Sequence, residues 1–362
     1  MIMEEYKLDS SCFALIMTGG RGERFWPLST PDKPKPFLKL FDGKSLIQLT
    51  VERLQKLFDN KSIFLVLSKE HYPIASKQLK NIPKSNFIIE PIGKDTAPCA
   101  SYASLYISKI YPNPNIFVFP SDHYIQDEIA FMRCMYISYL ILKNKNAIIT
   151  FGIKPIRPDN NYGYIEIDNK IYENDYYYYQ VKKFKEKPSI EIAKQYIADG
   201  NHFWNAGIFA WNYNTLMNSI ALYTPDIHCI LDEINKNWGK KDFQSFLEKI
   251  YYEFPSISVD YAIMEKTKPI YMIPTYFKWD DIGTWASLER IFLPDQYNNI
   301  IFGTVNLFDT SNSIIYNKKT NLLVLGVKNI IFINYKNNIL LADKKYANEL
   351  KNYLKKCSNK KK

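Results

Sequence analysis

Short apolar runs alternate with amphipathic stretches along the first part of the chain. "CFALIMT" (12–18), "SIFLVLS" (62–68), "NFIIEP" (86–91), "NIFVFPSD" (115–122) and "AIITFGI" (147–153) are compact apolar blocks of the kind given by strands buried on both faces. Between them, "SLIQLTVERLQKLF" (45–58) repeats its apolar residues at a helical period. "KDTAPCASYASLYISKI" (94–110) opens on an Asp/Thr start signal with an early proline, and "FMRCMYISYLILKN" continues the helical pattern. Repeated strand–helix–strand units predict an α/β protein, Rossmann-like, with a mostly parallel mixed sheet and helices on both faces. In such sheets ligands bind at the carboxyl ends of the strands. Gly19–Gly20, Glu90–Pro91 and Ser121–Asp122 fall at such ends.

From about Asn160 the pattern becomes more irregular. "YGYIEI" and "YYYYQVKKFKEKP" read as hairpin-like strands, and "HFWNAGIFAW" (202–211) is a further apolar run. "SVDYAIMEK" (258–266) reads as a short helix start, and "FKWDDIGTWASLERI" as a loop entering a helix. After about Pro294 the chain becomes a string of short strands separated by Asn, Gly and Lys turns, closed by the helix "KYANELKNYLKK". The expected division is residues 1–293 as a catalytic domain and 294–362 as a small β-rich C-terminal domain ending in a helix and a lysine-rich tail. No sequence period is clean enough to define a repeat.

Composition narrows the class. The chain has 362 residues, 46% hydrophobic and 23% charged, as in ordinary soluble globular proteins. No run approaches the roughly 20 apolar residues of a membrane span, and the N-terminus lacks a secretory pattern. A cytoplasmic protein without membrane attachment is the expectation. The five cysteines are scattered and form no C-x-x-C pair, which argues against a disulfide framework or a zinc site, and Cys12 and Cys99 read as buried thiols. The net charge of +10 is concentrated at the end, where residues 344–362 hold eight lysines and one glutamate, leaving about +3 for the rest. Such a tail reads as a solvated end, not a nucleic-acid face.

The segment "MTGGRGERFWPLSTPDKPKPFL" (17–38) carries the first chemical signal. It is neither a P-loop nor a dinucleotide fingerprint, because neither glycine spacing is met. It does place glycine backbone and the cations Arg21, Arg24, Lys33 and Lys35 on a loop stiffened by Pro27, Pro31, Pro34 and Pro36. Close backbone approach with fixed positive charge suits a polyphosphate. In "FPSDH", Asp122 follows an apolar strand, where a divalent-cation ligand or a helix cap would stand; a structural role suits His123 better than ligation. "WDDIGTW" offers Asp280 and Asp281 as a second carboxylate, or a capped helix start. Glu186, Lys187 and Asn205 have the groups a sugar phosphate needs, although an ordinary surface ion pair also explains the first two.

The order of these pieces resembles the bacterial mannose-1-phosphate guanylyltransferases (GDP-mannose pyrophosphorylases) of the sugar-nucleotidyltransferase superfamily. The resemblance runs from about Ala14 to Ala342 and rests on "TGGRGERFWPLS…PKPFL", "EPIGKDTAPC", "FPSDH", "YGYIEI", "VKKFKEKP", "FWNAGIFAW", "SVDYAIMEK" and "WDDIGTW". It implies the nucleotidyltransferase fold and attack of mannose 1-phosphate on the α-phosphorus of GTP, giving GDP-mannose and pyrophosphate. By the same resemblance, Arg24, Lys35 and Asp122 are catalytic. Gly19, Gly20, Arg21, Gly22, Asp95, Thr96 and Ser121 contact the nucleotide. Gly163, Glu186, Lys187, Asn205 and Asp260 contact the sugar phosphate, and Asp122 and Asp281 hold Mg²⁺, with Asp281 preferred over Asp280. Analogy places homodimerisation on the small β region. Many relatives continue into a cupin-type isomerase domain; no H-x-H cluster stands in this sequence, and a single activity is expected. The alternatives are another sugar 1-phosphate (heptose, fucose or glucose), another base, or an inactive regulatory relative.

Overall fold

A computed structural model describes residues 6–359, with the exception of 21, 42 and 319. The expectation for Arg21 lies outside the described residues. The chain forms two compact units that do not follow chain order. The first comprises Met1–Gly19, Thr50–Ser121 and Ile125–Trp279, and the second Gly20–Leu49, Asp122–Tyr124 and Asp280–Lys362.

The first unit is built on a nine-stranded sheet. From one edge its strands are Phe87–Glu90, Ile63–Ser68, Cys12–Thr18, Asn115–Pro120, His202–Asn212, Ile148–Ile153, Ile270–Thr275, Tyr176–Lys185 and Tyr164–Glu173. The apolar blocks of the sequence are these strands to within a residue or two. Cys12–Thr18 pairs in parallel with both its neighbours, and only His202–Asn212 and Tyr176–Lys185 run against the common direction. The sheet is thus mixed and mostly parallel, as the sequence pattern implies. The helix Thr96–Ser108 turns ten of its thirteen residues inward, with Tyr102, Ala103, Leu105 and Ile107 joining Phe13, Leu15, Phe64 and Trp211 in one core. The helix Glu128–Asn144 starts at Asp127, whose carboxylate caps the Ala130 N–H at 3.0 Å. Asp122 is therefore not that helix's cap, which answers the alternative weighed from sequence.

Three local departures from the sequence reading matter. "SVDYAIMEK" forms a short π-helical turn at Asp260–Met264 where a helix start is predicted. "WASLER" forms a 3₁₀ segment, Trp285–Arg290, opened by a capping box between Thr284 and Ser287. In His202–Asn212 the register slips between Asn205 and Phe209, and Gly207 within the slip has φ +66°. This bulge re-aims the Asn205 side chain.

In the second unit, Ile300–Gly303, Ile314–Asn317 and Ile330–Tyr335 stack in parallel, and Asn338–Asp343 returns antiparallel on the edge. Asn306–Phe308 and Leu323–Leu325 form a second parallel pair. The strands the sequence predicts are present, but their parallel stacking makes them rungs of a coil, which the uneven spacing hides. The rungs are tied by asparagines: Asn334 donates to Asn317 Oδ1 at 3.0 Å, and Asn317 donates to the Thr320 carbonyl at 2.6 Å. Gly303 is required here, because a Cβ would lie 2.0 Å from the Asn317 carbonyl oxygen. Ile300, Ile314, Ile331 and Ile333 bury with Phe25, Leu38, Leu46, Ile282 and Trp285 in this unit's core, joined by Leu350 of the helix Leu350–Asn359. Cys12 and Cys99 are buried free thiols. Among the described residues, no helix is long and apolar enough to cross a membrane.

Candidate active site

The expected site residues divide between the two units. Gly19, Asp95, Thr96, Ser121, Gly163, Glu186, Lys187, Asn205 and Asp260 belong to the first; Gly20, Gly22, Arg24, Lys35, Asp122 and Asp281 belong to the second.

In the second unit the proline-stiffened loop folds on itself. Gly22 has φ +59°, and its carbonyl accepts from the Phe25 N–H at 2.9 Å and from the Ser29 hydroxyl at 2.6 Å. A Cβ on Gly22 would lie 2.5 Å from Lys35 Cβ and 2.8 Å from Lys35 N. The close approach that glycine permits is thus at Gly22. A Cβ at Gly19 or Gly20 would meet nothing within 4 Å, and Gly20 is needed only for its φ of +83°. Held there, Lys35 is 7% exposed, and its ammonium lies 3.0 Å from Asp122 Oδ2 and donates to the Asp281 carbonyl at 2.5 Å. One cation therefore gathers the FPSDH and WDDIGTW segments. Arg24 sits in the 3₁₀ turn Glu23–Phe25, half-buried, and among the described residues it has no ion-pair partner.

The two adjacent aspartates have different tasks. Asp280 is buried and binds Arg290, with Oδ1 2.9 Å from one guanidinium nitrogen. The same Oδ1 accepts the Ile282 N–H at 2.8 Å. Ile282 is a buried β-branched residue at φ +47°, a conformation such residues avoid unless packing imposes it. Asp280 thus braces the turn. A Cβ at Gly283 would crowd Asp281 Oδ2 at 3.1 Å, so Gly283 keeps room for that carboxylate. Burial lowers the pKa of His123 against the pull of the Asp122, Asp281 and Asp280 carboxylates, in keeping with a neutral structural imidazole.

In the first unit the other residues converge. Asn205 Nδ2 donates to Asp260 Oδ1 at 3.0 Å, while its Oδ1 accepts from the Thr150 hydroxyl and the Gly207 N–H, both at 3.1 Å. The Asn205 N–H donates to the Gly163 carbonyl at 2.8 Å. A Cβ on Gly163 would lie 2.5 Å from Glu186 Oε2, so this glycine makes space for the carboxylate. Glu186 pairs with Lys187, whose backbone stands at φ +43°. Burial, with help from the Glu186 carboxylate, pushes the Asp260 pKa up to about 7, against the attraction of Lys187. Burial pulls Lys187 down, but its hydrogen bond to Glu186 and the charges of Glu186 and Asp260 raise it on balance. The result is an acidic pocket with one ammonium, its groups fixed by mutual hydrogen bonds.

Asp95 and Thr96 lie where the chain enters the helix Thr96–Ser108. Asp95 has φ 70° and ψ −176°, a region almost confined to glycine, and its carboxylate accepts the Thr96 N–H at 2.7 Å. Ser121 is buried, its N–H bonded to the Met17 carbonyl at 3.2 Å. Sequence reasoning missed Arg157, which stacks 4.9 Å over Trp204 and pairs with Asp159 at 3.1 Å, and Tyr162, whose ring is 5.1 Å from that of Trp204. The signal that could have found them was "IRPDNNYGY", an arginine and an acid directly before the aromatic run. It also missed Arg290, whose role depends on a turn no spacing shows.

Comparison with known proteins identifies the family. A family model described as nucleotidyl transferase matches residues 13–297. An Escherichia coli protein named mannose-1-phosphate guanylyltransferase is 32% identical over 351 residues, covering 95% of this chain and 75% of its own length. The crystal structure of a Thermus thermophilus protein, described as a mannose-1-phosphate geranyltransferase, superposes with a TM-score of 0.86 at 31% identity, covering 96% of this chain and 99% of that one. The crystal structure of a Helicobacter pylori protein described as a mannose-6-phosphate isomerase gives a TM-score of 0.61 at 26% identity, over 74% of this chain and 99% of its own. The chain belongs to the nucleotidyl transferase family, in the branch of the mannose-1-phosphate guanylyltransferases.

Proposed function

We propose that this chain transfers a guanylyl group from GTP to mannose 1-phosphate, releasing pyrophosphate and forming GDP-mannose. The observation that carries this reading is the buried Lys35 ammonium, held between the Asp122 carboxylate and the Asp281 carbonyl by a glycine–proline loop. Phosphoryl-type transfer demands positioning and charge neutralisation more than covalent help from the protein. The attacking sugar phosphate is already an anion, so no general base is needed. Lys35 and Arg24 would face the transferring phosphate and the leaving pyrophosphate. Gly19, Gly20, Arg21 and Gly22 would offer backbone N–H groups to the triphosphate, while Asp95, Thr96 and Ser121 would contact the nucleoside. Lys187 would take the phosphate of the sugar phosphate, and Glu186, Asn205 and Asp260 would accept and donate at sugar hydroxyls. Functionally, residues 1–293 would carry catalysis, with 294–362 as a β-rich appendage that pairs two copies.

The donor set suits a hard divalent cation. Asp122 and Asp281 supply carboxylate oxygens, and among the described residues no third acid, histidine or cysteine joins them in a cluster. Two carboxylates completed by water and substrate phosphates fit Mg²⁺ better than a thiolate- or imidazole-seeking metal. Bound there, Mg²⁺ would neutralise phosphate charge and help align the reacting oxygens.

The deciding experiment is pyrophosphate release from the purified protein with Mg²⁺, crossing GTP, ATP, UTP, CTP and dTTP with mannose, glucose and fucose 1-phosphates. Release that requires GTP and mannose 1-phosphate together is expected. Release with a different pair would move the substrate within the same chemistry. No release with any pair, from folded protein that binds nucleotide, would point to a regulatory relative.

A further inference from the structure

A buried pair to which the functional reading gives no role joins the two ends of a long excursion of the chain. Glu90 ends the edge strand Phe87–Glu90 and is 9% exposed; Tyr251 is fully buried, and its hydroxyl donates to Glu90 Oε1 at 2.9 Å. Beyond this pair the two segments stay bonded along their length. Lys94 Nζ donates to the Tyr252 carbonyl at 2.7 Å, the Ala97 N–H to the Ile257 carbonyl at 3.1 Å, and the Val259 N–H to Thr96 Oγ1 at 2.8 Å. The next residue is Asp260, bonded to Asn205. Asp95, in its glycine-like conformation, stands in the middle of the first segment. A strained residue persists only where its surroundings over-determine it, and these bonds are the surroundings.

We propose that Glu90 and Tyr251 are positioning residues that clamp the Pro91–Thr96 loop to the segment carrying Asp260, so that nucleotide binding and sugar-phosphate binding are energetically coupled. The proposal rests on the functional reading above, which gives Asp95 and Thr96 to the nucleotide and Asp260 to the sugar phosphate. Ordering the loop around a nucleotide fixes the 251–260 segment through the clamp, and the ordering is then not repeated when the sugar phosphate binds. With Glu90 a carboxylate, the Tyr251 hydroxyl has a charged acceptor and its direction is fixed, which makes this the strong form of the clamp. Burial pushes the Glu90 pKa up to about 7, partly offset by the donors Tyr251, Lys94 and Cys99, with Asp95 and Tyr102 the other titratable groups around it. The coupling should therefore fade as pH falls below about 7.

The test measures the dissociation constant of mannose 1-phosphate with and without a saturating non-hydrolysable GTP analogue. Wild type should show at least about five-fold tightening, the lower end of ordinary allosteric coupling. Tyr251→Phe, which loses the donor, and Glu90→Gln, which removes the buried charge that Tyr251 donates to, should each bring the factor below about two-fold. The pH dependence of the factor should vanish in Glu90→Gln, although Asp260 still titrates there. Amide hydrogen exchange supplies a readout that needs no substrate: the Ala97 and Val259 N–H groups should lose protection in Tyr251→Phe while those of Cys12–Thr18 keep theirs, which also reports folding. A wild-type factor of one, a variant factor equal to wild type, or unchanged exchange at Ala97 and Val259 would overturn the clamp. If wild type releases no pyrophosphate and binds neither probe, the functional reading falls, and the exchange result alone judges the clamp.

Discussion

At the scale of single residues, charge placement explains most of what the protein can do. Lys35 is almost fully buried and would carry an unmatched ammonium without Asp122 beside it. Lys35→Met should lower kcat by about 10²–10³-fold, the cost of removing one fixed donor at developing charge. Steady-state kinetics would check this, and a change in KM alone would move Lys35 from transition-state to ground-state binding. Asp260 gives a pH prediction. Its folded pKa is raised from 3.8 to about 7, so the folded protein holds a proton the unfolded chain has released. The contribution is therefore present at acid pH and is lost as pH rises through about 7. Asp260→Asn, which cannot ionise and can still accept from Asn205, should gain on wild type from pH 5 to pH 8, by about 1–3 kcal/mol. Thermal melts at the two pH values decide it, and a constant difference would mean an ordinary carboxylate. Gly19, Gly20, Lys35, Asp122 and Asp281 could be named from sequence because each stands in a short local motif. The pairing of Glu90 with Tyr251 and the role of Arg290 could not, since Glu90 and Tyr251 meet across 161 positions and no local pattern pairs them.

At the scale of elements, strands were easier to read than the helices between them. The inner strands are nearly pure apolar blocks, and Cys12–Thr18 coincides with its sequence block residue for residue. The sequence reading is silent on the helices Ile190–Asp199, Tyr213–Tyr223, Pro225–Asn237 and Phe243–Ile250, although Phe243–Ile250 buries Leu247 and Ile250 at a helical spacing. The bulge at Asn205–Phe209 was equally hidden: only pairing with Ile148–Ile153 reveals two residues too many. The glycine–proline loop is an element whose shape depends on one glycine. Gly22→Ala adds a Cβ 2.5 Å from Lys35 Cβ at a φ of +59°, so the loop must open or Lys35 must move. Activity should fall by about 10-fold or more, while the melting temperature, dominated by two separate cores, drops by only a few degrees. Gly19→Ala meets open space and should be far milder, which makes the pair a controlled comparison.

At the scale of the whole molecule, the excess charge and the C-terminal coil are the features to test. Lys355, Lys356 and the three terminal lysines carry much of the +10 net charge. Leu350 and Leu354, just before them, are the residues that pack into the core. Removing Lys355–Lys362 should leave turnover within about two-fold of the full chain, and a large loss would show that the tail serves catalysis.

The order of residues alone was enough for the α/β class, the inner strands and the kind of chemistry. Burial on both faces writes a strand as an apolar block, and phosphate chemistry needs glycines, cations and acids at short spacings. Which groups meet was settled only in three dimensions. Lys35 finds Asp281 across 246 positions, Asp280 turns out to brace a turn through the Ile282 N–H and Arg290, and the C-terminal strands stack in parallel. The physical reason is the same in each case: hydrogen bonds and ion pairs form between groups that folding brings together, and their partners leave no trace in the local order of residues.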